Sequence, residues 1–140
     1  MRAEVNKCLE VLSKGGLILY PTDTVWGIGC DATIDSAIKK IFKLKQRSDS
    51  KALISIVSSY EQLKKLTHIT KEISFEKPTT VIYNDIKGIS KLAISADGTA
   101  AIRIVNDNFC QQLLSRFNKP IISTSANISK EDTPSCLSLI

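Results

Sequence analysis

An apolar run, Leu17 to Tyr20, is enclosed by Gly15-Gly16 on one side and Pro21 on the other. Such a run between two breakers reads as a buried strand. Pro21, with its fixed φ and no amide proton, ends it. Thr22, Asp23 and Thr24 follow at once, and then Gly27 and Gly29 around Ile28. The glycines predict a bend, or a close approach of backbone, just beyond the strand tip. The chain must therefore carry a buried strand that delivers two hydroxyls and a carboxylate into a glycine-lined bend. Two readings stand for the tip: a ligand-binding edge, or a turn in which Asp23 and the threonines cap backbone groups.

The flanking sequence alternates helix and strand. Val5, Cys8, Leu9 and Leu12 keep helical spacing, and Gly15-Gly16 stop that helix. Thr33 or Asp35 caps a second helix with the apolar stripe Ile34, Ala37, Ile38, Ile41 and Phe42. A buried strand is expected over Ala52 to Val57, and Ser58 with Glu61 has capping-box spacing for a third helix. The segment from Thr67 to Pro78 is polar and carries no clear period. Thr79 to Tyr83 and Ala100 to Val105 are β-rich, and the loop between them holds Asp85, Gly88 and the turn pair Asp97-Gly98. Asn106 or Asn108 caps a fourth helix whose apolar side is Phe109, Cys110, Leu113, Leu114 and Phe117. A short strand, Ile121-Ile122, runs into Ser123-Thr124-Ser125-Ala126-Asn127, a second cluster of small hydrogen-bonding side chains at a strand end. Ligands of open α/β sheets gather at the carboxyl ends of strands, so the two clusters predict one shared cleft.

Composition narrows the function classes. The 140 residues are 43% hydrophobic and 24% charged, ordinary for a soluble globular chain and enough for one domain with a core. Apolar runs stay far below the roughly 20 residues that span a bilayer, and the N-terminus lacks a signal-peptide core, so cytoplasmic residence is the default and no membrane partner is expected. Four widely spaced cysteines and one histidine argue against a zinc site and a dense disulfide framework. Cys8, Cys30 and Cys110 read as small core residues, and His68 as a surface residue at a helix end. The net charge of +5 is concentrated in Lys39, Lys40, Lys43, Lys45, Arg47 and Lys51. That cluster is either a solvated helix face or a surface that meets phosphates.

Tyr20-Pro21-Thr22-Asp23-Thr24-Val25-Trp26-Gly27-Ile28-Gly29-Cys30-Asp31-Ala32, then Lys45-Gln46-Arg47, then Ser123-Thr124-Ser125-Ala126-Asn127 resemble, in order, the signatures of the YrdC-like family of threonylcarbamoyl-AMP synthases. Lys77-Pro78-Thr79-Thr80 is similar to the family's Pro-Gly-Pro-x-Thr segment. The resemblance implies an α/β fold, a twisted mixed parallel and antiparallel sheet flanked by helices, with a concave basic face. It also implies the reaction: L-threonine, bicarbonate and ATP give threonylcarbamoyl-adenylate and pyrophosphate, for threonylcarbamoyladenosine in tRNA. ATP is then a substrate, and Mg²⁺ is expected with its phosphates. The implied partners are proteins of the downstream threonylcarbamoyl transfer and, on the basic face, tRNA or double-stranded RNA. A catalytically impaired paralogue acting as an RNA-binding module is the alternative.

The matching motifs assign the site. Lys45 and Arg47, from the Lys-x-Arg motif, are the expected catalytic pair and hold phosphate oxygens. Ser125 and Asn127, from the Ser-x-Asn motif, join them at the nucleotide. Thr22, Thr24, Arg103 and Ser123 are placed with the substrate, although Arg103, between Ile102 and Ile104, also fits an ordinary solvent-facing strand position. No covalent nucleophile is needed; positioning and charge stabilisation carry the chemistry. The metal ligands are not identifiable. Lys130 stands where the family usually has glycine, and Glu76-Lys77-Pro78 replaces Pro-Gly-Pro. The family normally continues with a further strand and helix, so residues 1–140 are expected to be a single YrdC-like domain that is incomplete at its C-terminus. Leu137, Leu139 and Ile140 look like the start of an apolar element.

Overall fold

The computed structural model describes residues 2–21, 26–45, 53–69, 71–72, 79–125 and 137–138. Four helices are present among them: α1 (Arg2–Ser13), α2 (Asp35–Lys45), the single turn α3 (Tyr60–Leu63) and α4 (Asn108–Phe117). Seven strands, β1 (Ile18–Pro21), β2 (Trp26–Asp31), β3 (Ile54–Val57), β4 (Thr80–Tyr83), β5 (Ala100–Ile104), β6 (Ile121–Ser125) and β7 (Leu137–Ser138), form one sheet. Their order is β4-β5-β3-β6-β2-β1-β7. Only β3 and β5 run parallel; every other neighbouring pair is antiparallel. This is the mixed, helix-flanked sheet that the sequence predicts.

The period of the apolar residues explains both layers. Ala37, Ile38 and Ile41 of α2 pack on one sheet face with Leu19, Ile28, Cys30, Ile102 and Ile122. Val5, Cys8 and Leu12 of α1 and Phe109, Cys110, Leu113 and Leu114 of α4 pack on the other, with Ile18, Tyr20, Ile56 and Ile121. Strand residues thus alternate between the two cores. Gly15 ends α1 as expected: its φ of +77° suits glycine, and its amide donates to the Leu12 carbonyl at 3.0 Å.

The structure corrects several local expectations. Gly27 and Gly29 lie within β2, not in a bend, and β2 turns back on β1 as a hairpin with Pro21 opposite Trp26. β6 extends through Ser125, so Ser123 and Thr124 belong to the ladder instead of following it. The cap of α3 is Ser59, not Ser58, with the Gln62 amide donating to Ser59 Oγ at 3.3 Å; the Gln62 side chain then accepts the Ser58 amide at 2.9 Å. The cap of α4 is Asp107, between the two asparagines, with the Cys110 amide donating to its Oδ2 at 3.0 Å. Cys8, Cys30 and Cys110 are buried core residues. Cys30 and Cys110 are not in disulfides, whereas Cys8 is disulfide-bonded. Leu137 and Ser138 do begin a further strand, paired antiparallel to Ile18 and Leu19.

Candidate functional site

The three motifs converge on one end of the sheet. The pairs Tyr20–Gly27 and Pro21–Trp26 bring the hairpin tip there, and Gly27 pairs in turn with Ser125. β3 enters at the same end, because Ile54 faces Ser123 across an antiparallel ladder. α2 also finishes there. Lys45 Nζ, from the last residue of α2, donates to the Ser125 carbonyl at 2.6 Å, a contact between residues 80 apart in sequence. Thr22, Thr24, Arg47 and Asn127 lie outside the described residues.

Face and register place the others. Ile121 belongs to the α1/α4 core, so Ser123 and Ser125, two and four residues on, point to that same face. Arg103 shares the face, since it pairs with Ile56 of that core. Arg103 Nε donates to Thr80 Oγ1 at 3.0 Å, on the neighbouring edge strand. It is half-buried, so it is not the plainly solvent-facing residue of the second reading. Two strands and two residues separate it from Ser123, about 12 Å by standard sheet spacing. Lys45 arrives from the opposite layer, around the sheet end. Lys45, Ser123 and Ser125 therefore share an end of the sheet, whereas Arg103, level with Ile56 and Ile121, lies toward the other end.

Gly29 and Tyr20 shape this part of the sheet, and no sequence motif marks the tyrosine as functional. A Cβ on Gly29 would stand 2.8 Å from Tyr20 Cε1 and 3.1 Å from the Ile122 carbonyl oxygen. The missing side chain thus makes room for the Tyr20 ring. The signal available in sequence was a tyrosine two residues before a strand-ending tip, with glycines at alternate positions of the next strand.

Below the site, Asp31 at the end of β2 is fully buried and satisfied. Its Oδ1 accepts the Thr33 amide at 2.8 Å and the Thr33 hydroxyl at 2.6 Å, and its Oδ2 accepts Lys119 Nζ at 3.2 Å. Cys30 beside it is held inert. Burial foremost, and the Asp31 charge second, push its thiol up to about 12, against a partial lowering by Lys40. At pH 8 about one molecule in 10⁴ then carries the thiolate. Iodoacetamide at pH 8 is expected to leave Cys30 unmodified in the native protein and to label it in urea, read by mass spectrometry; native labelling at the rate of an exposed thiol would contradict this.

Elsewhere, a depression of about 360 Å³ is lined by Lys64, Thr67, His68, Ile69, Asp85 and Lys87. It holds none of the motif residues, and His68 is exposed there, as expected of it. Among the described residues no trio of His, Cys, Asp or Glu is arranged to hold a metal ion, and no helix is long and apolar enough to cross a membrane.

An open mixed sheet with helices on both faces, and three ordered motifs meeting at one end of it, defines the architectural class. The family model Sua5_yciO_yrdC, described as "Telomere recombination", matches residues 10–139. A threonylcarbamoyl-AMP synthase of Psychromonas ingrahamii is 40% identical over 139 residues, covering 91% of this chain and 72% of that protein. One from Saccharophagus degradans is 36% identical, covering 89% and 69%. Among solved structures, P. abyssi Sua5 complexed with L-threonine superposes with a TM-score of 0.78 at 27% identity, over 96% of this chain but 42% of that one. E. coli YciO, at 22% identity and a TM-score of 0.78, shares the fold. The chain belongs to the Sua5/YciO/YrdC family.

Proposed function

We propose that this chain makes threonylcarbamoyl-adenylate and pyrophosphate from L-threonine, bicarbonate and ATP, in the service of tRNA threonylcarbamoyladenosine. The observation that carries the reading is the meeting of Lys45 and Ser125 beside the paired Pro21 and Trp26, the two residues between which the Thr22–Thr24 motif stands in sequence. Relatives named threonylcarbamoyl-AMP synthase, at 34–40% identity, support it.

The chemistry suits these residue types. A carbamate oxygen attacks the α-phosphorus while negative charge moves onto pyrophosphate, so the site needs fixed cations and few covalent groups. Lys45 offers a point charge with protons to spare beyond the one on the Ser125 carbonyl, and Arg47 a planar fork. Ser125 and Asn127 hold nucleotide groups; Thr22, Thr24, Ser123 and Arg103 serve the amino-acid side. Magnesium, expected with nucleotide phosphates, finds no carboxylate cluster among the described residues, and no step here depends on it. The product passes to proteins that transfer the threonylcarbamoyl group to tRNA.

The test is pyrophosphate release by the purified chain with threonine, bicarbonate and ATP. Omission of either threonine or bicarbonate is expected to abolish it. Pyrophosphate formed equally well without threonine would reject the assignment.

A further inference from the structure

Tyr20 heads the fully buried side chains by volume, and its position is unusual. It stands on β1 opposite Gly27, yet its ring leans across β2 over Gly29, where a Cβ would meet it at 2.8 Å. Gly29 is in register with Ser123 on the next strand, β6. The ring therefore crosses the middle strand of three, toward Ser123 on the third. Phe109 stacks on it with ring centroids 6.3 Å apart, which fixes the ring from above. The hydroxyl is sealed from solvent, yet it closes no hydrogen bond of standard geometry with any described group.

An unpaired buried hydroxyl costs about 1–3 kcal/mol, so its retention calls for a reason. Ser123 supplies one. A serine hydroxyl has one proton and two lone pairs, and its rotor turns freely unless a neighbour selects an orientation. A donor behind it occupies a lone pair and turns the proton forward.

We propose that Tyr20 is a positioning residue for Ser123: the phenol donates to Ser123 Oγ, so that the serine proton points out of the sheet face toward a carboxylate or carbonyl oxygen of the amino-acid substrate. This rests on the reading that Ser123 serves the amino-acid side. Burial, above all, holds the phenol far above its ordinary range, so it stays a neutral donor at every working pH. Asp107 Oδ1, likewise buried and unpaired, is the rival acceptor for the same proton.

Tyr20→Phe removes the hydroxyl and nothing else. It is expected to weaken threonine binding, by calorimetry, about tenfold while leaving KM for ATP unchanged and the thermal midpoint no lower than the parent's. Ser123→Ala should give the same loss, and the double variant no more than either alone. Gly29→Ala, which pushes the ring aside, should show the threonine defect together with lowered stability. A structural role alone would move stability and both substrates together. The ligand-free protein gives an independent readout, the ¹³Cζ resonance of Tyr20, which should shift in Ser123→Ala and not in Asp107→Asn. The reverse response, or Tyr20→Phe binding threonine as tightly as the parent, overturns the proposal. If the parent binds no threonine, the functional reading fails, and the resonance still decides whether Tyr20 holds Ser123.

Discussion

Lys45→Ala and Arg47→Ala should each lower threonine-dependent pyrophosphate release by about 10²–10³-fold, the usual loss when one fixed charge-stabilising group is removed. Lys64→Ala, on a surface away from the motifs and paired with Glu72 at 2.6 Å, should stay within about twofold of the parent. Lys45 is held at the sheet end by the Ser125 carbonyl, so its ammonium is already oriented before any ligand arrives. That preorganisation is what makes a cation effective on developing charge. The measurement is kcat/KM under saturating bicarbonate, with circular dichroism to check that each variant folds. Equal losses in all three variants would remove Lys45 and Arg47 from the site.

The second large effect concerns stability. Asp31→Ala is expected to destabilise the fold by about 3 kcal/mol, because it strands donors around a buried position. For a chain of this size that is roughly a 10 °C fall in Tm. Asp31 is wholly inaccessible, and it joins the end of β2, the turn into α2 and the α4–β6 connection through Thr33 and Lys119. Lys119→Ala should cost less, about 1 kcal/mol, since that side chain is 49% exposed and also rests 5.0 Å above the Phe117 ring, where water replaces much of what is lost. Urea unfolding at constant pH separates the two. An Asp31→Ala protein within about 0.5 kcal/mol of the parent would show that the cluster is dispensable.

The parts legible in the sequence are those with a period or a breaker. α2 and α4 bury the stripes that helical spacing marks, because an amphipathic helix has one way to turn its apolar side inward. The β1 and β5 strands fall where short apolar runs lie between turn formers. Of the two expectations for Gly27 and Gly29, a bend or a close approach, the structure bears out the close approach, at Gly29 within β2. In the fold Gly29 is needed for space, since Tyr20 from the preceding strand lies across it. The caps moved by one residue for a similar reason: serine and asparagine both suit a cap, and the true one is chosen by where the packed face of the helix must begin.

The site divides along the same line. Lys45, Ser123, Ser125 and Arg103 are candidates through their match to the family's motifs, and so are Thr22, Thr24, Arg47 and Asn127, which lie outside the described residues. Chemistry of this kind is written in side chains, and side chains are what a sequence records. Their mutual placement is not. The ammonium of Lys45 on the carbonyl of Ser125 joins residues 80 apart, and Lys119 reaches Asp31 across 88. The parallel β3–β5 pairing and the insertion of β6 between β3 and β2 create those meetings. Periodicity sets which face of each element is buried. Only the order in which strands pair decides which buried faces become neighbours, because backbone hydrogen bonds are alike in every ladder and the choice falls to packing between distant residues.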